Sequence, residues 1–216
     1  MATFPARFDF APFEGQPPPA SLRPRFQRMM DYLDALPDGV YSYPECQARS
    51  GILQTFLESR PPPVGEQDPW VVALLGPTTR SYIPEVISNA GLLAIGDAAG
   101  LTDAQWLAWN HEANRALFRG LLYRALMAIF SPMMLLERAP ARWESFHVGT
   151  ELTIEKGGGT DATVRLKFPA NLHLPLHLEA YGRAFAAAME HARGRDVTVQ
   201  LLATTPTSAE YLARWK

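Results

Sequence analysis

The sequence predicts an α+β protein in which N-terminal helices and loops pack on a C-terminal domain of helices with a mostly antiparallel four-stranded sheet. Three observations carry this. Apolar residues recur at helical spacing before Gly149, the period changes to two after it, and the order that follows is strand–strand, helix, strand–strand. The organisation expected is a proline-rich helical segment over 1–100 and an α+β domain over 101–216, together forming one compact unit.

Proline punctuates the N-terminal part, with runs at Pro17–Pro19 and Pro61–Pro63. Between the runs, Phe26, Met29, Met30 and Leu33 share one helical stripe over Ser21–Leu36. A second helix is expected from Tyr43, with Pro44 in its first turn and Ile52, Leu53, Phe56 and Leu57 on one face, ending at Pro61. The apolar runs Trp70–Leu75 and Leu92–Ile95 are too short for periodicity to separate helix from strand. Thr102 and Gln105 have capping-box spacing and open a helix through Trp106, Trp109, Ala113 and Leu117. An apolar segment, Leu121–Phe130, continues it or opens another. Ser131-Pro132 supplies an N-cap and first-turn proline for a helix that pauses at Pro140 and is extended by Trp143 and Phe146 towards Gly149.

Beyond Gly149, Leu152 and Ile154 alternate with polar residues, Gly157–Gly159 turn the chain, and Val164, Leu166 and Phe168 alternate again, which makes a hairpin with one buried face. A helix over Leu178–Arg193 turns Tyr181, Phe185, Ala188 and Met189 inward and stops at Gly194. Val197, Val199 and Leu201 form a strand, and Tyr211–Trp215 the last one.

Composition excludes several classes. In 216 residues, 47% hydrophobic, 20 basic groups against 22 acidic ones leave a net charge of −2, so no whole-molecule field recommends a nucleic acid or an anionic membrane as partner. A lone cysteine, Cys46, can form neither an internal disulfide nor a zinc ribbon, which fits a reducing, cytoplasmic setting. No apolar run reaches the roughly 18 residues of a spanning helix, and no secretory leader is read at the N-terminus.

Catalytic signatures are absent: no nucleophile elbow, phosphate loop, dinucleotide fingerprint or paired-histidine zinc helix occurs. His173 and His177, with Glu179 and His147, have the residue types of a metal set. Pro175 between the two histidines argues against a regular helix through both, so they read as rim residues near a strand end and no metal is expected. The stronger signal is the crowding of Trp106, Trp109, Phe118, Tyr123, Met127, Phe130, Met133, Met134, Trp143 and Phe146 into helices. Such side chains either fill a core or line an apolar pocket. The pocket reading gives the candidate ligand-binding residues Trp106, Trp109, His111, Tyr123, Met127, Phe130, Trp143, Phe146 and His147. Arg115, Arg119, Arg124, Arg138 and Arg142 interleave with them and either face solvent or grip a carboxylate or phosphate head group.

The stretch Leu117-Phe-Arg-Gly-Leu-Leu-Tyr-Arg-Ala-Leu-Met127, then Ser131-Pro and an arginine- and tryptophan-containing helix, then His147-Val-Gly-Thr150 and two strands, resembles the 4-vinyl-reductase-like small-molecule-binding superfamily. Tyr181-Gly-Arg-Ala-Phe185, the strand Asp196–Leu201 and the final Tyr211-Leu-Ala-Arg-Trp215 continue the resemblance, which covers residues 102–215. Haem nitric-oxide-binding domains are distant relatives of that fold, and a similar pattern recurs in paralogous myxobacterial proteins of about this length. The resemblance implies a dimer-prone sensory or ligand-carrying module. It also marks departures. The cysteines that could hold a metal near the end of such domains are missing, and no haem-ligating motif surrounds His111, so no cofactor is expected.

The function expected is therefore binding of an apolar or amphipathic small molecule, for sensing or carriage and without catalysis. One alternative is an isomerase or cyclase using His111, Glu112, Glu144 or His147 as acid or base. Another is a homodimeric interaction module.

Overall fold

The protein is described here by a computed structural model covering residues 13, 17–59, 68–76, 78–119 and 131–216. They divide into two units: the described residues of 1–101 with 147–149, and those of 102–146 with 150–216.

In the first unit, α1 (Gln27–Asp34), β1 (Gln47–Arg49), α2 (Ser50–Ser59), α3 (Pro69–Leu75), β2 (Tyr82–Pro84) and α4 (Glu85–Ala98) follow in order. Helix α4 is the centre. Its twelve residues from Glu85 to Gly96 are all buried, because the stretch Ala90–Ile95 is apolar on every side and α1, α2 and α3 pack around the helix. Gly91 permits that approach: a Cβ there would lie 3.0 Å from a Leu53 methyl and 3.3 Å from a Leu75 methyl. A three-stranded antiparallel sheet completes the unit in the order β2-β1-β3, where β3 is the two-residue strand His147–Val148.

In the second unit, α5 (Asp103–Arg119), α6 (Pro132–Glu144) and α7 (Pro175–His191) accompany β4 (Glu151–Lys156), β5 (Asp161–Lys167), β6 (Thr198–Thr205) and β7 (Ser208–Arg214). The four strands form one antiparallel sheet in the order β4-β5-β7-β6. Alternation assigns its faces. Leu152, Val164, Leu166, Ala209, Tyr211 and Ala213 are buried on the inner side, where α7 packs against β6 and β7 while α5 packs on α7. The outer face carries ion pairs of Arg165 with Glu155 and Glu210, at 2.5 and 2.8 Å.

The α+β class and the hairpin register, Leu152 opposite Leu166 and Ile154 opposite Val164, follow the alternation in the sequence. Both capped helix starts are present: Thr102 and Gln105 exchange hydrogen bonds, and Ser131 Oγ accepts from the Met134 amide. Four expectations are corrected and one ambiguity is resolved. The Ser21–Leu36 helix is broken: a short 3-10 turn at Ala20–Leu22 precedes α1, and Pro24 falls in the connection. Tyr43 has φ +52°, which is not helical, so the second helix begins at Ser50 and a strand occupies Gln47–Arg49. The ambiguous apolar runs are both helical. Helix α6 passes through Pro140 without a break and ends at Glu144, so Phe146 lies in a turn and His147 in a strand. Helix α7 starts at Pro175 instead of Leu178. The segment Leu121–Phe130 lies outside the described residues. No helix among the described residues is long and apolar enough to cross a membrane.

Candidate functional site

The second unit holds a run of aromatic and imidazole rings in edge-to-face contact. Trp106, fully buried on α5, packs its indole against Trp109 at 6.5 Å and His177 at 6.0 Å between centroids. His177 meets His173 at 6.4 Å, and His173 lies edge-on between Phe168 at 4.8 Å and Tyr181 at 5.1 Å. Tyr181 and Phe185, one turn apart on α7, face Trp143 of α6 at 5.4 and 6.2 Å, and Phe185 reaches Tyr211 of the sheet at 5.4 Å. Tilted and T-shaped pairs place the positive edge of one ring on the negative face of the next, which aligns the whole run.

The polar atoms in this run are placed by local structure. His177 is at the third position of α7, where its Nδ1 accepts the Leu174 amide at 3.2 Å. That bond fixes the ring proton on Nε2. The Trp143 indole N–H donates to Thr150 Oγ1 at 2.9 Å, and the Tyr211 hydroxyl donates to the Leu178 carbonyl at 2.9 Å. Burial pushes the Tyr211 hydroxyl far up from its ordinary value, so it stays a neutral donor.

The sequence-derived candidates separate. Trp106, Trp109 and Trp143 belong to the ring run, and Phe146 lies half-buried in the turn after α6. His111 sits five residues beyond Trp106, about 140° round the helix, so it faces away from the indole of Trp106. Its Nδ1 is buried without a hydrogen-bond partner, as is Arg115 Nε one turn further along. Tyr123, Met127 and Phe130 lie outside the described residues. Glu112 and Glu144 are exposed, which removes them as buried acids or bases. Glu179 is exposed, and no group of three or more metal-ligating side chains forms among the described residues.

Sequence reasoning missed the placement of His173 and His177. Both are buried, 4% and 3% exposed, and neither is a rim residue. No helix passes through both positions, as Pro175 predicts; the missed signal is that proline is well suited to the first turn of a helix, so it opens α7 between the two histidines.

A second polar cluster lies in the first unit. Glu85 is 1% exposed and is the first residue of α4, where the helix N-terminus favours a carboxylate. Both its oxygens lie 3.0 and 3.1 Å from His147 Nδ1. Tyr32 accepts from the Asn89 amide at 3.3 Å, and burial pushes its hydroxyl far up. Cys46 donates to the Gly149 carbonyl at 3.4 Å, with burial, then the charges of Glu45 and Glu85, pushing its thiol up to about 12. A thiol this buried and protonated is no nucleophile. Ellman's reagent is expected to leave Cys46 unmodified in the native protein and to react fully in denaturant; rapid native labelling would show that the region opens readily.

No family model matches the sequence, and no curated protein matches it. Solved structures do. An oxygen-binding H-NOX domain related to soluble guanylate cyclases superposes with a TM-score of 0.55 at 5% identity, over 76% of this chain and 91% of that one. A Cs H-NOX mutant with 4-cyano-L-phenylalanine gives 0.54 at 6% identity, over 78% and 96%. A structure probing heme distortion in the H-NOX family gives 0.55 at 6%, over 78% and 95%. The matched region therefore exceeds residues 102–215.

No complete haem site is assembled by the described histidines. A haem iron takes an imidazole nitrogen that carries no proton and faces an open slot. His177 carries its proton on Nε2, and His173 is wedged among three rings. His191 donates Nδ1–H to the Ala187 carbonyl at the last turn of α7, which leaves Nε2 without a proton, and the Phe118 ring lies 6.0 Å from its imidazole. His147 turns Nδ1 to the Glu85 carboxylate, and the groups that interact with that carboxylate, Tyr32 and Cys46, are neutral and supply no cation for a propionate. His111 faces away from the indole of Trp106, the fully buried ring of its own helix. At these identities the likeness is one of fold: the chain has an α+β architecture similar to that of H-NOX domains, built around a different set of side chains.

Proposed function

We propose that this chain binds an apolar or amphipathic small molecule, other than haem, for sensing or carriage and without catalysis. The observation that supports the reading most is the ring run of the second unit, where the half-buried Trp109 and Tyr181 are backed by the buried rings of Trp106, Trp143 and His177 in tilted and edge-to-face contact. Such a wall suits a planar apolar ligand, because rigid rings lose little freedom on binding and the histidines add a polar edge that orients it. Similarity of fold to H-NOX domains, one of them oxygen-binding, adds support for a sensing role. Phe146 is part of the proposed site, as are Tyr123, Met127 and Phe130 from the sequence. The closer kinship with 4-vinyl-reductase-like domains and with the myxobacterial paralogues belongs to the same proposal and rests on element order over residues 102–215.

The test uses the amphipathic dye 1-anilinonaphthalene-8-sulfonate with tryptophan emission as the readout, alongside native mass spectrometry of protein from its own host. The expected result is saturable binding at one site with quenching of tryptophan emission. Trp109→Ala should weaken the affinity tenfold or more, the loss of a good aromatic contact. Absence of saturable binding together with no retained mass would overturn the reading.

A further inference from the structure

The two edges of the four-stranded sheet are built differently. At one edge, β4 carries Glu151, Glu155 and Lys156 in six residues. Charges on an edge strand discourage another chain from pairing there. At the other edge, β6 reads Thr198-Val-Gln-Leu-Leu-Ala-Thr-Thr205, eight residues without a charge, a proline or a glycine. Its composition is that of a strand seeking a partner. Eight residues span about 27 Å, and the backbone donors and acceptors on the side away from β7 have no strand partner among the described residues. The last four, Leu202 to Thr205, are all exposed.

Leu202 sharpens the asymmetry. The ladder with β7 shifts between Leu201 and Ala203, so Leu202 stands outside it, and its side chain is 48% exposed. Such bulges bend a strand and re-aim a side chain. A bulge by itself turns an edge away from new partners, so what leaves this edge open is the lack of charge: an apolar residue stands where a lysine would guard it.

We propose that β6 is a strand-addition edge whose occupant is a second copy of this chain, the two β6 strands pairing antiparallel about a dyad to give one eight-stranded sheet. The sequence of the strand favours itself. With the dyad at its midpoint, Thr198 lies opposite Thr205, Val199 opposite Thr204, Gln200 opposite Ala203, and Leu201 opposite Leu202. Threonine pairs and leucine pairs are favourable cross-strand neighbours, and no like charges meet. The nearest charges, Arg195 and Asp196, fall beyond the strand. An isologous contact of this kind closes on itself at two copies, which protects the edge from open-ended growth. Strand pairing alone buries less than the roughly 1,200–2,000 Å² of a tight complex, so the dissociation constant belongs between about 10 µM and about 1 mM.

Sedimentation velocity of the full chain across that range tests the proposal, with hydrogen exchange at low and high concentration to locate the contact. The expected result is a monomer–dimer equilibrium, with the amides of 198–205 gaining protection as the dimer forms. Leu202→Lys is expected to weaken dimerisation tenfold or more, while Thr153→Lys on β4 leaves it unchanged. Leu202 is half exposed, so the substitution keeps the fold, and an unchanged far-UV circular dichroism spectrum and melting temperature verify this. A monomer up to about 1 mM overturns the proposal. So does a dimer that survives Leu202→Lys without protection of β6, and so does protection of β6 that appears only with an unrelated extended peptide.

Discussion

Replacing Trp106 with alanine is expected to lower the unfolding free energy by about 3–5 kcal/mol, the cost of emptying a fully buried indole site. Trp106 has no exposed surface and contacts Trp109 and His177 directly. Its removal therefore forfeits apolar burial, dispersion contacts and two ring pairs together. Urea denaturation monitored by circular dichroism measures the loss, with an unchanged m-value confirming that the unfolded state is not what moved. Added indole should restore part of the stability, because the vacated space matches it in shape and the walls are rigid. A loss below about 1 kcal/mol would show that the neighbouring rings close over the gap and that the run is not a fixed wall.

Glu85→Ala is expected to cost about 3 kcal/mol or more by the same measurement. Breaking a buried pair leaves the remaining member without compensation, and here His147 Nδ1 loses both carboxylate oxygens at once. Glu85→Gln should cost less, since the amide oxygen still accepts from the imidazole and only the charge is lost. Equal losses for the two variants would show that side-chain volume, and not the hydrogen bond, holds the pair. A Gly149→Ala variant bears on the same region: its φ is +79°, and a Cβ would come within 2.9 Å of Cys46 Sγ and 3.0 Å of the Glu45 carbonyl oxygen. Backbone on one side and a buried thiol on the other leave little room for relief, so a loss of about 2–4 kcal/mol is expected.

Elements with a local chemical signature were legible in the sequence. The strands β4, β5 and β7 show period two because one face is buried and the other wet, and α5 and α6 begin at side chains that cap them. What escaped were features set by tertiary context. Helix α4 is buried on all sides, so its sequence has no amphipathic period to detect. The small sheet β2-β1-β3 consists of strands two and three residues long, far below any pattern, and joins segments about a hundred positions apart. The site divides along the same line. The tryptophans of α5 and α6 stood out by composition. The partners that align them, His173 and His177, escape because Pro175 excludes a helix through both positions without showing that a helix opens at the proline itself. Glu85 carries no sequence signal, since a single carboxylate before an apolar run is ordinary until His147 arrives beside it.

The path of the chain through residues 147–149 governs how the molecule can be dissected. Met1–Leu101 cannot be excised as a self-sufficient fragment: the cut discards the histidine that accompanies Glu85 and the third strand of the small sheet. Such a piece would hold a carboxylate stranded among apolar side chains and would be prone to proteolysis. Grafting His147–Gly149 back through a short glycine linker is the minimal repair.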